Sequence, residues 1–148
     1  MLLTGAYPRS FDDKQRIPLP KPIREAIGSP PRQSLLVTLA MDGALALYTE
    51  EAFTELGQRV AKASPAGAEV RAFSRMFYAQ AQRVDIDGQG RIRIPAELIQ
   101  LAKLGKEAVL VGVGERLELW DAARWQAYLS EMQPRFDEIA EQALRGPA

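Results

Sequence analysis

Phe11-Asp12-Asp13-Lys14-Gln15-Arg16-Ile17-Pro18-Leu19-Pro20 and Ile86-Asp87-Gly88-Gln89-Gly90-Arg91-Ile92-Arg93-Ile94-Pro95 are two versions of one phrase. At an offset of 75 residues Asp12/Asp87, Arg16/Arg91, Ile17/Ile92 and Pro20/Pro95 are identical, and Leu19/Ile94 is conservative. The likeness resumes at an offset of 72, where Leu45-Ala46-Leu47-Tyr48 matches Leu117-Glu118-Leu119-Trp120 and Phe53 matches Trp125. The offset changes at Gly28-Ser29-Pro30-Pro31, where a surface insertion costs little loop entropy. Two copies are too few for a solenoid, so the chain reads as a duplicated module with pseudo-two-fold symmetry.

Each copy predicts the same order of elements. Val84-Asp85-Ile86 alternates as a short strand and ends in the turn Asp87–Gly90. Arg91–Ile94 alternates again, and Pro95 stands at a favoured first helical position. Leu98, Leu101, Ala102 and Leu104 then follow at helical spacing up to Gly105. Ala108–Val113 reads as a buried strand, and Gly114-Glu115 turns the chain into the strand Leu117–Trp120. The first copy repeats this with a turn at Asp12–Gln15, strand Arg16–Leu19, a short helix from Pro20 and strands Leu35–Leu39 and Leu45–Tyr48. Asp42-Gly43 between those last two is a strong hairpin signal. Four strands and one helical turn cannot bury a core alone, so the two modules are expected to interleave and their sheets to close on each other.

Helices are expected between and after the copies. Thr49 suits an N-cap for a helix carrying Phe53, Leu56 and Val60 on one face; Ser64-Pro65-Ala66-Gly67 breaks it, and a second helix carries Val70, Phe73 and Phe77. Asp121 suits the N-cap of a last helix with Trp125, Leu129, Met132, Phe136, Ile139 and Ala143 on one stripe, kinked by Pro134 near Gln133. Trp120, Trp125, Tyr48 and Phe53 are expected in the core, with a protomer interface as the alternative, and the stripe to dock a neighbouring helix.

Composition narrows the chemistry. The 148 residues carry 19 Lys+Arg against 19 Asp+Glu, with no cysteine and no histidine. That excludes disulfides, thiol nucleophiles, Cys/His zinc sites and imidazole bases. Met1-Leu2-Leu3 is too short for a signal-peptide core and no run approaches the ~18 apolar residues of a membrane span, so a soluble, cytoplasmic protein is expected. Charge is uneven: residues 1–32 hold six basic side chains against three acidic, residues 115–148 four against seven. Such a chain can present a basic face and keep an acidic tail elsewhere.

Asp12-x-x-x-Arg16 and Asp87-x-x-x-Arg91, each followed by an apolar-x-apolar-Pro exit, resemble the paired signature of the MraZ family, within the AbrB/MazE/SpoVT swapped-hairpin superfamily. The second copy is the closer match, through Pro95-Ala96-Glu97-Leu98, Val111–Gly114 and Glu118–Asp121; in the first, Pro20-x-x-Ile23-Arg24 fits the family's Pro-x-x-apolar-Arg. The resemblance spans residues 1–130. It departs at Gln15, where the family usually has glycine before the arginine, so the first turn is either strained or differently shaped. The resemblance implies an α+β, mainly β fold: two swapped-hairpin (AbrB-like) modules forming a pseudo-two-fold β-barrel, with linking and C-terminal helices. Its expected divisions are a first SpoVT-AbrB-like module over 7–53, a helical linker over 54–80, a second module over 81–125 and a C-terminal helical segment over 126–148. It further implies a cytoplasmic, nucleoid-associated transcriptional regulator with no cofactor. Its partners are double-stranded DNA, at repeated boxes upstream of the division and cell-wall gene cluster, and copies of itself in a ring.

The residue types fit that chemistry. A guanidinium reaches phosphate, and it also contacts guanine O6 and N7 bidentately in the major groove. Arg16 and Arg91 each start the strand that leaves a turn; Lys14, Arg9, Lys21, Arg24 and Arg93 are expected to add phosphate contacts. Asp12 and Asp87 can accept turn N–H groups and brace the arginines; Gly88, Gly90, Pro20 and Pro95 shape the turns and exits. Taken singly, each Asp-x-x-x-Arg reads as an ordinary turn ion pair; its recurrence at equivalent points of the repeat, together with the family resemblance, points to a contact. Asp85-x-Asp87-x-Gln89-Gly90 opens like a calcium loop, but Ala96 stands at the twelfth position, so no metal is expected. Gly112-x-Gly114 lacks the third glycine of a dinucleotide fingerprint, and no third group joins Asp12/Asp13 or Asp85/Asp87 in a catalytic set. No small-molecule substrate or enzyme activity is expected. The rivals are an antitoxin-like module, which an unstructured toxin-binding tail would favour, and a purely structural oligomer.

Overall fold

Alternation decides which way the shortest strands face. In Arg16-Ile17-Pro18 and Arg91-Ile92-Arg93 the middle side chain points opposite to its neighbours. Both isoleucines are buried, and the residues around them reach solvent. The computed structural model describes residues 1–28, 33–63 and 67–146. In chain order its elements are β1 (Ala6–Ser10), β2 (Arg16–Pro18), α1 (Lys21–Ala26), β3 (Ser34–Leu39), β4 (Leu45–Tyr48), α2 (Glu50–Ala63), α3 (Ala68–Gln80) and β5 (Gln82–Asp85). They continue with β6 (Arg91–Arg93), α4 (Ala96–Leu101), β7 (Glu107–Gly112), β8 (Leu117–Asp121), α5 (Ala122–Met132) and α6 (Phe136–Leu144). The expected insertion at Ser29-Pro30-Pro31, the helix break at Ser64-Pro65-Ala66 and the charge of Arg32 lie outside the described residues.

Six strands form one antiparallel sheet in the order β1-β7-β8-β4-β3-β5, and β2 and β6 form a separate two-stranded ribbon. The strand entering each Asp turn joins a strand from the other half of the chain. Thus β1 pairs with β7 (Ala6↔Val111 to Ser10↔Glu107), and β5 pairs with β3 (Ser34↔Asp85 to Val37↔Gln82). The strands leaving the turns pair with each other, Arg16↔Arg93, Ile17↔Ile92 and Pro18↔Arg91. Their flanking hydrogen bonds, Leu19 N–H to Gly90 O (2.8 Å) and Ile94 N–H to Gln15 O (3.0 Å), are equivalent under the repeat.

Apolar side chains leave both faces of the sheet to be covered. On one face Leu35, Val37, Leu45, Leu47, Leu110, Leu117 and Leu119 meet Ile17 and Ile92 of the ribbon, Ile23 of α1 and Leu98 of α4. On the other, Ala46 and Tyr48 pack with Phe77, Phe53 and Leu56 from α2 and α3. Val109, Val111 and Trp120 pack with Trp125 and Tyr128 from α5. Central strand β4 is therefore buried at every residue. Among the described residues no helix is long and apolar enough to cross a membrane.

The closed barrel is not what forms: the sheet ends at β1 and β5. Strands β2 and β6 are three residues long, and Pro18 has no N–H with which to bind a further strand. The outward carbonyl of Pro18 is met instead by a side chain, Arg9 Nε donating at 3.2 Å. Three local expectations also shift. Pro20 and Pro95 sit one residue before α1 and α4. Helix α4 ends at Leu101, before Gly105, because Lys103 turns left-handed (φ 52°) and Leu104 N–H returns to Ile99 O, closing the helix without glycine. Asp121 does stand at the N-cap position of α5, but its side chain makes no capping bond; its Oδ1 accepts the Gly105 N–H at 2.9 Å. Other local signals match. Thr49 Oγ1 accepts the Ala52 N–H, Asp42 and Gly43 take positive φ values in the tight turn Met41–Gly43 that joins β3 to β4, and a 3-10 turn at Gln133–Arg135 separates α5 from α6 around Pro134.

Ile17 and Ile92 tie the ribbon to the sheet, so truncating either opens a cavity at that contact. Ile92→Ala is expected to cost about 2–5 kcal/mol, measured by chemical denaturation. Val113→Ala, at an exposed site, should stay within about 0.5 kcal/mol of the parent.

Candidate nucleic-acid interface

An aspartate before a tight turn can satisfy the N–H groups that the turn leaves over. Asp12 Oδ1 accepts from Lys14 N–H and Arg16 N–H, each at 2.9 Å, and Oδ2 accepts Arg16 Nε at 2.8 Å. Asp87 repeats this with Gln89 N–H and Arg91 N–H at 2.9 Å and Arg91 Nε at 2.8 Å. Both turns are closed by equivalent backbone bonds, Asp12 N–H to Arg16 O and Asp87 N–H to Arg91 O. Gln15 therefore does not reshape the first turn. It takes the same left-handed conformation as Gly90, φ 62° against 78°, and carries the strain.

These bonds hold both carboxyls below the ordinary aspartate range. For Asp12 the largest cause is the Arg16 backbone N–H, opposed by desolvation, with the Lys14 N–H and the Arg16 guanidinium adding to the lowering. For Asp87 it is the Arg91 backbone N–H, again opposed by desolvation and helped by the Arg91 side chain. Each arginine is held through Nε, at 2.8 Å from the carboxylate Oδ2. Both oxygens of Asp87 belong to its own turn, and among the described residues no group of three or more Asp, Glu, His or Cys is placed to hold a metal.

Pairing gathers the arginines. Arg16 lies directly opposite Arg93, and Arg91 opposite Pro18, so all four share the ribbon face turned away from the buried isoleucines. Arg16 and Arg91 are diagonal neighbours, a separation of about 7–8 Å. Two guanidinium groups facing each other repel. Asp12 offsets Arg16, but Arg93 has no ion pair among the described residues.

The flanking cations fall into different situations. Lys14 is exposed at the corner of the first turn, beside the exposed Asp13. Arg24 lies against the second turn, its side chain over Gly90. Arg9 is tethered, Nε to Pro18 O and Nη1 to Pro8 O, with its guanidinium 5.9 Å from the Tyr7 ring centroid. Lys21 is ion-paired with Glu25 at 3.9 Å, a fully solvated i,i+4 pair at the start of α1. The sequence reading missed the tether of Arg9 and the seat of Arg24. The first has no sequence signal; the second has one, the glycine at 90 where the other copy manages with Gln15.

Two outcomes follow from the braced turns. Gln15→Gly should stabilise the protein by about 0.5–1 kcal/mol in thermal or urea unfolding, because left-handed strain outweighs glycine's extra chain entropy. The depressed carboxyls stabilise the fold fully above the ordinary aspartate value of 3.8, and lose that contribution as pH falls through their lowered folded values. Urea midpoints should therefore fall less steeply below about pH 4 in Asp12→Asn/Asp87→Asn than in the parent; superimposable acid limbs would contradict the brace.

Known proteins resemble this chain in sequence. A family model described as "MraZ protein, putative antitoxin-like" matches residues 77–145, from the last turn of α3 through α6. Transcriptional regulator MraZ of Ligilactobacillus salivarius is 39% identical over 143 residues, 97% of each chain. Transcriptional regulator MraZ of Saccharopolyspora erythraea is 37% identical over 145 residues, 98% of this chain and 99% of the other. That of Mesoplasma florum is 34% identical over 146 residues, 99% and 98%. With such identities across nearly the whole of both chains, this chain belongs to the MraZ family of transcriptional regulators.

Proposed function

We propose that the protein is a sequence-specific DNA-binding regulator that lays the ribbon β2–β6 into the major groove. The observation that carries this reading is the single solvent-facing surface shared by Arg16, Arg91 and Arg93. A two-stranded ribbon fits a groove about 12 Å wide. An arginine braced through Nε offers its remaining donors to an acceptor pair such as guanine O6 and N7, a contact worth about 1–3 kcal/mol of base discrimination. Lys14, Arg24 and the residual donor capacity of Arg9 serve phosphates; Lys21, already paired, contributes least. Asp12 and Asp87 orient, and Pro20, Pro95, Gly88 and Gly90 shape the backbone around them.

The palindromic strand order supports reading residues 7–53 and 81–125 as two interleaved swapped-hairpin modules, with 54–80 as linker and 126–148 as a C-terminal helical segment. A protomer of zero net charge with few phosphate contacts binds weakly. A ring of protomers on repeated boxes, upstream of the division and cell-wall cluster, raises affinity through effective concentration. Exposed apolar side chains on α3 and α6, including Phe73, Met76 and Phe136, give neighbouring protomers surface to bury. The protein acts in the cytoplasm on the nucleoid, without cofactor or catalysis.

Gel-shift titration on the duplex upstream of the protein's own coding region tests this. The parent should bind, and log affinity should fall linearly with log salt. Arg16→Ala/Arg91→Ala should lose sequence-specific retention while keeping the parent's melting temperature and assembly size; equal binding by the double variant contradicts the reading.

A further inference from the structure

We infer that the two ends of the ribbon grip DNA unequally, and that the Asp87–Gly90 turn is the stronger because Arg24, from the other half of the chain, is seated on Gly90 beside Arg91. This rests on the DNA-binding reading. A Cβ built on Gly90 would stand 2.8 Å from Arg24 Cδ and 2.9 Å from its Nε and Cζ, so the arginine stem crosses the bare Cα. Backbone conformation alone does not demand glycine there, since Gln15 holds φ 62° at the equivalent place in the first turn. What glycine supplies at position 90 is the room for Arg24.

The repeat shows what the first turn lacks. The residue equivalent to Arg24 is Ile99, which packs against the hydrophobic core and brings no cation over Gln15. The residue equivalent to Gly88 is Asp13, an exposed carboxylate. A phosphodiester nearing the second turn meets open space at Gly88 and two guanidinium groups, Arg24 being exposed and without an ion pair among the described residues. One nearing the first turn meets Arg16, with Arg93 opposite it across the ribbon, but also the exposed Asp13 carboxylate, offset by Lys14. Adjacent guanidinium groups repel each other until an anion bridges them, and arginine donors match phosphate oxygens in pairs.

The test is fluorescence anisotropy of the full chain with the labelled upstream duplex across a potassium chloride series. Arg24→Ile installs the repeat's own counterpart. It should weaken binding about tenfold and lower the slope of log affinity against log salt by about 1. Lys14→Gln, which also removes one exposed cation and installs the counterpart Gln89, should weaken it less than about threefold. Gly90→Gln should match Arg24→Ile, and the combined variant should bind no more weakly than either alone. Gly90→Ala, adding only the Cβ, replaces it if the glutamine variant melts below the parent. A parent that does not bind overturns the DNA reading and this inference together. A parent that binds, with Arg24→Ile unchanged, with Lys14→Gln equally damaging, or with additive losses at 24 and 90, overturns only the unequal grip.

Discussion

Ile17 and Ile92 stand opposite each other in a ribbon only three residues long on each side, and both are removed from solvent against the sheet. Strand alternation then leaves Arg16, Arg91 and Arg93 no direction but outward. A slip of one residue in this pairing would send arginines into the core and isoleucines into water, so burial specifies the register strongly. The bonds from Leu19 to Gly90 and from Ile94 to Gln15 fix it from both ends. The outward placement of Arg16, Arg91 and Arg93 is thus a consequence of where the apolar side chains must go.

Within that frame the two turns solve a second problem, how to hold long flexible side chains in place. Each aspartate satisfies two backbone N–H groups and one guanidinium nitrogen at once, so backbone and side chain are ordered by the same carboxylate. The first turn keeps this arrangement even with glutamine in a left-handed conformation. A strained backbone that persists is one over-determined by its surroundings. Here the carboxylate bonds and the Ile94 N–H to the Gln15 carbonyl supply that determination.

Much of the architecture was legible because it is written in local patterns. The repeated phrase located both turns, period-two alternation located the strands, and Asp42-Gly43, Thr49 and Pro134 marked a hairpin, a cap and a break through short-range chemistry. Long-range pairing has no such record in one sequence. That β1 joins β7, and that Arg93 comes to face Arg16, follows from how two halves interleave. The sheet stays open at β1 and β5, and the outward carbonyl of Pro18 is met by the side chain of Arg9, a contact that no local pattern records. Asp121 had two uses open to it and the structure takes the one that serves Gly105. Of the candidate site, Arg16, Arg91 and Arg93 came together as one surface, whereas Arg9 and Lys21 turned out to be engaged elsewhere.

Photo-cross-linking of the intact protein to its upstream duplex carrying bromodeoxyuridine, with the joined peptides identified by mass spectrometry, tests the central claim most directly. Cross-links concentrated in residues 12–24 and 87–95 are the predicted result. Cross-links confined to α2, α3, α5 or α6, with the ribbon untouched, would contradict it.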